Sequence, residues 1–304
     1  MLFNKSRLIQ TSAALLAAAA GLLISFHAQT ARSQQTPAPA ADTTPPKFDD
    51  YFIDKALRVE INQIGDAKEE FVTLDKIYEE PIWPQNPRNI ICPFDACHYD
   101  IKVYDQASGK LIYVQPFDTL FAEYRTTEPA LKGVKGVYNR SLRFPEPKAP
   151  ARFVIENRDK KLVLHELFSV NIDPKDLHIV RESAKVGGDE TFELVKSGDP
   201  HDKVDLAFLA EGYTTEDKEK FKADVKKMSD AIFTYDPYSK NKDRFNIYGV
   251  FRASAERGMD EPVQRRYKST ALGASYNTFD TDRYLTIPDD RAVYRMAAQV
   301  PFDA

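Results

Sequence analysis

The first long stretch of the chain, residues 48–173, alternates apolar and polar positions. In residues 57–61 (LRVEI) and 99–103 (YDIKV), an apolar side chain occupies every second position. This period of two is typical of a β-strand with one buried face, because successive side chains of a strand point to opposite sides of the sheet. The stretch shows no amphipathic helical spacing, so it is predicted to be β-structure.

Polar turns divide these segments into hairpins. Residues 99–103 and 111–114 flank DQASGK, which contains Gly109, and residues 153–155 and 162–164 flank NRDK. Each succession of strand, polar turn and strand predicts a β-hairpin. Several short strands with Pro and Gly between them predict an antiparallel β-sandwich.

Prolines and glycines mark the limits of this sandwich. Three prolines within residues 144–151 predict a loop or an edge strand there, because proline has no backbone N–H to donate to a central ladder. We expect the β-sandwich to occupy residues 48–185. A connector is predicted at residues 186–202, which contain two adjacent glycines and the sequence SGDP.

After residue 202 the pattern changes to strands and helices in succession. Residues 204–210 (VDLAFLA) predict a short apolar strand, and Gly212 then suits a tight turn with positive φ. Thr214 or Thr215 is a candidate N-cap for the helix that follows. Four apolar residues recur at spacings of four, three and four and predict one face of this helix: Phe221, Val225, Met228 and Ile232.

A second strand and a second helix complete this region. Residues 244–252 (RFNIYGVFR) predict the strand, and residues 289–298 predict the helix, which follows Pro288 and has an acidic start. A strand, a helix and a strand in succession form the unit of a layered α/β domain. Two strands and two helices make a thin core for such a domain, so we expect residues 203–304 to be only its first part. The predicted fold class is therefore multidomain α and β, with an N-terminal antiparallel β-sandwich followed by an incomplete α/β domain.

The N-terminus has the layout of an export signal. Lys5 and Arg7 precede an uncharged apolar run at residues 13–26, and small residues follow it. A membrane span needs about 20 apolar residues, so this run predicts a signal peptide over residues 1–33 in preference to an anchor or a buried helix. Residues 34–47 (QQTPAPAADTTPPK) predict a flexible linker. We expect an exported protein, periplasmic or secreted, with no stable membrane anchor after signal cleavage.

Charge and cysteine content narrow the function further. The formal net charge of the 304 residues is −4 and no basic stripe is present, so a nucleic-acid partner is not expected. The only two cysteines, Cys92 and Cys97, predict a local disulfide in an exported protein. Two alternatives remain: a reduced, buried pair, and a metal site with His98, which would lack the further ligands of a closed zinc site.

Six stretches of the chain, in the same order, resemble the IgA-type zinc metallopeptidases, which are secreted bacterial enzymes. The six stretches are YDIKVYDQASGKLIYVQPFDTLFAEY (99–124), SLRFPEP (141–147), HELFSVNIDP (165–174), VDLAFLAEGYT (204–214), DRFNIYGV (243–250) and YKSTALGASYNTF (267–279). One departure is Glu211, where the family pattern leads us to expect Asp before Gly-Tyr. The longer side chain leaves the role of this turn open.

The resemblance implies a fold, a reaction and a cofactor. It implies that residues 203–304 begin a zincin-like catalytic domain that hydrolyses peptide bonds of a protein or peptide substrate. The family uses a zinc ion held by a helical His-Glu-x-x-His motif, with the Glu as general base, so zinc is expected in the full-length protein. By analogy, seven residues are candidates to line the cleft: Glu211, Gly212, Tyr213, Thr270, Ala271, Leu272 and Gly273. The last four begin residues 270–279, which are expected to line the cleft as an edge strand that pairs with extended substrate.

The chain itself lacks the residues of a zinc site. Residues 202–304 contain neither His nor Cys, whereas a catalytic zinc generally takes three protein ligands with at least one imidazole. His165 and Glu166 begin a near-match to the motif, but Ser169 stands where the second His belongs, on a predicted strand. We therefore expect no catalytic or metal-binding residue within this chain and expect the zinc motif to lie beyond it. The chain alone is expected to bind no zinc and to have no activity.

Other interpretations remain open at this point. Asp280 and Asp282 have a spacing found in calcium loops, but no further acidic series follows, so a solvated turn is favoured. The β-sandwich is alternatively an exported, non-catalytic binding module, which an exposed aromatic patch with Trp83, Tyr113 or Tyr124 would indicate. A third possibility is a truncated, inactive product, which would expose apolar faces and be poorly soluble.

Overall fold

In a computed structural model of the protein, residues 44–94, 97–181 and 188–304 are described. The predicted signal peptide and residues 34–43 of the predicted linker lie outside the described residues. The described part forms ten strands and five α-helices. The strands are β1 (Phe52–Gly65), β2 (Glu70–Glu80), β3 (Tyr99–Asp105), β4 (Leu111–Phe117), β5 (Gly136–Pro147), β6 (Ala151–Arg158), β7 (Leu164–Ile172), β8 (Glu190–Val195), β9 (Val204–Leu209) and β10 (Phe245–Phe251). The helices are α1 (Phe48–Tyr51), α2 (Leu120–Tyr124), α3 (Glu128–Leu131), α4 (Lys218–Ile232) and α5 (Asp290–Ala297).

The strands form three sheets, and the fold is accordingly β-rich. The first two sheets are antiparallel, with the orders β2-β1-β5 and β4-β3-β6-β7. The third has the order β8-β10-β9, in which β9 and β10 are parallel and β8 is antiparallel to β10. Both predicted hairpins are confirmed as β3–β4 and β6–β7. Residues 144–147 of the proline-containing segment are confirmed as the end of an edge strand, because β5 pairs with β1 alone among the described strands.

One hydrophobic core joins the first two sheets. It contains Leu57 and Val59 of β1, Phe144 of β5 and Phe153 of β6, all of them buried. The rings of Phe144 and Phe153 lie 5.4 Å apart between the sheets. Trp83 and Tyr113 also belong to this core, and Tyr124 is buried in a smaller cluster. These three aromatic residues therefore form no exposed patch, and the sign expected of a binding module is not found at them.

The polar face of β1 is also buried, which its alternating sequence did not indicate. Arg58 is 3% exposed and Glu60 is 1% exposed. Arg58 contacts Glu60, donates from Nε to Glu80 Oε1 at 2.8 Å, and lies 4.5 Å from the ring centre of Tyr78. Arg295 of α5 also lies over the ring of Tyr78, at 5.9 Å from its centre. Buried charges need such partners, and here a helix far along the chain helps to exclude water from them.

The third sheet and α4 form the core of the C-terminal part. Phe221 and Val225 of α4 pack with Ile247 and Val250 of β10, so the predicted strand–helix–strand order is confirmed. The predicted helix face is wrong at Met228, which is 55% exposed. Its neighbour Ser229 is buried instead, because it follows Val225 by four residues and so lies on the same face of the helix. The serine hydroxyl donates a hydrogen bond to the Val225 carbonyl at 2.8 Å.

Two further expectations concern segment limits. The predicted connector, residues 186–202, contains β8, which pairs with β10 and is thus part of the third sheet. The predicted second helix is confirmed as α5, whose N-cap Asp289 accepts a hydrogen bond from the Arg291 backbone N–H. None of the described helices is long and apolar enough to cross a membrane.

His201 links the start of β1 to the segment that precedes β9. Its Nε2 lies 3.0 Å from Asp54 Oδ1 and its Nδ1 lies 3.0 Å from Asp199 Oδ1. Both ring nitrogens can donate only in the imidazolium form. Burial alone would lower the pKa of His201, but the hydrogen bonds to the two carboxylates outweigh it, and the pKa is raised.

We predict that this link makes stability depend on pH. The unfolded-state pKa of histidine is about 6.5, so the contribution is fully present below that pH and is lost as the pH rises through the higher folded pKa. In His201→Gln the unfolding free energy should fall less steeply than in the unmodified chain as the pH rises above about 6.5. The difference between the two falls should be less than about 1 kcal/mol, because the carboxylate partners are exposed. Urea unfolding from pH 5.5 to 8.5 measures it, with His178→Gln as the exposed control. Equal slopes in His201→Gln and the unmodified chain would contradict the prediction.

Candidate functional site

The site begins where β9 ends, at a turn that requires glycine. Gly212 has a φ of +72°, which confirms the positive φ predicted for it. A Cβ built on Gly212 would lie 2.2 Å from the carbonyl oxygen of Gly258. The same two residues are joined by a hydrogen bond from Gly258 N to Gly212 O at 3.0 Å. The turn after β9 is thus packed directly against a second backbone segment.

The carboxylate of Glu211 organises the loop at residues 270–274. It accepts hydrogen bonds from the Thr270 hydroxyl, from Leu272 N at 2.7 Å and from Ala274 N at 2.7 Å. Leu272 and Ala274 are buried, so these backbone groups have no access to bulk water. One side chain at the end of β9 therefore fixes the conformation of a loop some sixty positions later.

Ser254 also connects the turn after β9 to the loop at residues 270–274. Its hydroxyl oxygen accepts hydrogen bonds from Gly212 N and Ala271 N, both at 3.0 Å, and its own N–H donates to the Tyr213 carbonyl at 2.7 Å. Ser254 is 5% exposed. The structure therefore brings the two predicted groups, residues 211–213 and 270–273, into direct contact through a serine that sequence reasoning missed.

The segment at residues 270–279 is not an edge strand, and that expectation is wrong. It contains single bridges at Ser275, which pairs with Asp260 on one side and with Thr286 on the other, and it ends in a 3₁₀ turn that begins at Thr278. Because both sides are occupied, no ladder is open at this point for another strand. Gly273, with a φ of +69°, is the exposed point of the loop.

The start of the following helix is tied to the same region. Thr214 and Asp217 form a reciprocal capping box, and Thr214 is the N-cap of a 3₁₀ turn, Thr215–Asp217, that runs into α4, whereas Asp217 is at the N-cap position of α4 itself. Arg257 donates to both carboxylate oxygens of Asp217, from Nε at 2.8 Å. The hydrogen bonds from Arg257 and Thr214 hold the pKa of Asp217 well below its usual range. Tyr213 donates its hydroxyl to Asp224 of α4 at 2.9 Å, so the turn, the helix and the 254–258 segment form one bonded unit.

The C-terminal part also contains an open depression. Its volume is about 570 Å³, and its lining residues are Glu261, Pro262, Val263, Gln264, Tyr276, Asp282 and Arg283. Asp282 thus borders the depression, whereas Asp280 is an exposed residue with a φ of +57°. The depression combines carboxylates, a guanidinium, an amide and a phenol with two apolar side chains, a mixture suited to a polar ligand.

The other candidate residues lie elsewhere. His165 and Glu166 are exposed residues of β7, as expected: His165 Nε2 lies 3.0 Å from Asp159 Oδ2, and Glu166 receives Arg152 at 2.7 Å. Cys92 and Cys97 are free thiols in this structure, and burial is the main cause that raises the pKa of Cys97. A disulfide between them remains a prediction for the oxidised protein.

The described residues do not fit a zinc site. Across residues 44–94, 97–181 and 188–304, no group of three or more His, Cys, Asp or Glu side chains is arranged to hold a metal ion. His201 lies between two carboxylates, but both of its ring nitrogens are engaged with them. No step of a metal-dependent reaction is therefore assigned to these residues.

Two family models match two separate segments of the chain. A family model described as Peptidase M64 N-terminus matches residues 47–169. A second, described as IgA Peptidase M64, matches residues 192–304, which contain the Glu211 and Ser254 arrangement. No curated protein matches the chain. Together the two family models cover most of the sequence, and the chain belongs to the IgA peptidase M64 family of metallopeptidases.

Proposed function

We propose that this chain is the N-terminal portion of an exported zinc metallopeptidase that hydrolyses peptide bonds of a protein substrate. The observation that carries the proposal is the match of residues 192–304 to a peptidase family model. We assign residues 48–185 to an accessory β-sandwich and residues 203–304 to the first part of a zincin-like catalytic domain. The two matched segments, 47–169 and 192–304, support this division.

Within that enzyme, the arrangement around Glu211 serves to shape the cleft. Glu211 and Ser254 take up the backbone N–H groups of residues 271, 272 and 274, which leaves Gly273 exposed at the surface. A loop whose inner groups are all bonded is rigid, and rigid walls hold a substrate without a large entropic penalty. Glu211, Gly212, Tyr213 and residues 270–273 are thus proposed to position the cleft wall, not to take part in bond cleavage.

The zinc ligands are proposed to lie outside residues 1–304. The printed sequence contains no His-Glu-x-x-His, and the described residues hold no group of three metal-ligating side chains. The lysine and arginine before the apolar run at residues 13–26 support export. The periplasm or the exterior is the proposed location.

A zinc and activity measurement tests the proposal. The native gene product, purified from its source, should contain about one zinc per chain and should hydrolyse a quenched fluorescent peptide library in a chelator-sensitive manner. The 304-residue chain alone should retain no zinc after dialysis and should show no hydrolysis above the blank. Chelator-insensitive hydrolysis by the native product, or hydrolysis by the 304-residue chain, would overturn the assignment.

A further inference from the structure

The loop at residues 275–286 is closed at its base. Ser275 and Thr286 exchange backbone hydrogen bonds of 2.9 and 3.0 Å, and the hydroxyl oxygens of Thr278 and Thr286 lie 2.7 Å apart. Within the loop, Thr278 N donates to the Tyr284 carbonyl at 3.1 Å. The base is therefore fixed, and the conformation of the tip depends on what the tip contacts.

The tip has an unfavourable backbone. Asn277, Phe279 and Asp280 have φ angles of +67°, +52° and +57°. Non-glycine residues rarely adopt this left-handed region, and a bulky side chain such as phenylalanine is especially uncommon there. Such conformations persist where the surrounding structure compensates for them, so the contacts of Phe279 need to supply that compensation.

Phe279 packs into an aromatic cluster that belongs to the N-terminal, β-rich part of the chain. Its ring centre lies 5.9 Å from that of Tyr124 in α2 and 6.1 Å from that of Tyr138 in β5. Tyr284, from the same loop, lies 6.0 Å from Phe279 and donates its hydroxyl to Glu123 at 2.5 Å. The loop is thus attached to the other part of the molecule by two aromatic residues and one hydrogen bond.

The receiving surface is built for this contact. The Tyr124 hydroxyl is held by the Val134 carbonyl at 2.8 Å, which fixes the ring. Gly136 lies beneath the rings, and a Cβ there would come within 2.6 Å of Tyr124 and 2.8 Å of Tyr138. Only glycine allows the two tyrosine rings to approach the backbone so closely.

Other residues of the same loop border the open depression. Tyr276, Asp282 and Arg283 supply one wall of it, and residues 261–264 supply the other. We propose that Phe279 is a positioning residue, through which the N-terminal β-rich part fixes the wall of this depression in the C-terminal part. If the depression receives substrate, the β-rich part shapes the substrate site, and that last step rests on the proposed peptidase function. The attachment itself does not.

Hydrogen exchange of the intact 304-residue chain, read by mass spectrometry, tests the proposal. Phe279→Ala should speed exchange of the amides in residues 276–285 by about tenfold or more, with the amides of β3 and β10 unchanged. Phe279→Leu, which keeps an apolar side chain, should restore part of the protection. Tyr267→Ala removes an exposed aromatic residue of the same C-terminal part (66% exposed) and should change nothing.

A second variant acts from the other side of the contact. Gly136→Ala displaces the tyrosine rings of the N-terminal part and should also speed exchange in residues 276–285, although it lies far away in sequence. Unchanged exchange of this loop in Phe279→Ala would overturn the proposal. A proportional loss of protection throughout the chain would do so as well, because Phe279 would then contribute only to global stability. Neither result bears on peptide hydrolysis, so the two proposals fail independently.

Discussion

Phe153→Ala should destabilise the protein by about 3–5 kcal/mol, the range found when a large buried aromatic residue is truncated. Phe153 is fully buried in β6, and its ring lies 5.4 Å from Phe144 of β5, in the opposite sheet. Removing the ring leaves a cavity between two sheets whose backbones are held by their ladders, so the site collapses only partly. Urea unfolding monitored by circular dichroism measures the loss of unfolding free energy.

The matched control is Phe94→Ala, since Phe94 is 73% exposed. It should change the unfolding free energy by no more than about 0.5 kcal/mol, as is usual at the surface. Phe153→Leu should lie between the two, because it retains most of the apolar volume. A loss in Phe153→Ala no larger than that of the control would mean that the two sheets do not share one core.

Local patterns predicted the hairpins and the strands β1, β9 and β10, whereas β2 and β8 were not predicted as strands. Each of the β3–β4 and β6–β7 hairpins contains a register shift, at Val103/Tyr104 and at Ile155/Glu156, but a short polar turn joins its two strands, so the signals for pairing still lie within a few residues. In β2 the alternation breaks, because Asp75 is an extra residue opposite β1 between the pairs Glu60↔Lys76 and Ile61↔Leu74. A bulge of this kind moves the following side chains to the other face, and periodicity alone cannot reveal it.

Burial of polar residues was beyond the reach of local sequence. Arg58 and Glu60 alternate with apolar residues as a solvated face would, yet Glu80 and the aromatic ring of Tyr78 enclose them and α5 adds its cover. The partners come from two separate segments, β2 and α5, so only the tertiary fold places them together. The same holds at the candidate site: nothing around Ser254 in the sequence distinguishes it from a surface serine, although its hydroxyl joins residues 212 and 271.

Some residues of the candidate site were predicted, but family resemblance selected them and could not show which contacts they make. Resemblance to a family selected residues 211–213 and 270–273, and the structure brings these two groups together. It did not foresee that Glu211 would be fully occupied by internal donors. A carboxylate with three such hydrogen bonds acts first as a fixed acceptor, and its length decides which donors it reaches.

Glu211→Ala should therefore destabilise the protein by about 3 kcal/mol, because the buried N–H groups of Leu272 and Ala274 lose a charged acceptor. Amide exchange at these two residues should rise more than at the β10 amides, which reports a local effect. Glu211→Gln keeps the shape of the side chain, but its amide NH2 group replaces one carboxylate oxygen and faces a hydrogen-bond donor of the loop. Its loss of stability should therefore be intermediate. Glu219→Ala removes an exposed carboxylate of α4 and is the control.

Glu211→Asp distinguishes reach from charge. Aspartate, the residue expected here in the family, keeps the carboxylate but is shorter by one methylene. If the loop at residues 270–274 is fixed by the reach of the side chain, Glu211→Asp should lose stability and amide protection to an extent near that of Glu211→Gln. If the loop follows the shorter side chain, Glu211→Asp will be nearly neutral while Glu211→Ala remains impaired. In that case the negative charge at the end of β9, and not the length of the residue, fixes the loop at residues 270–274.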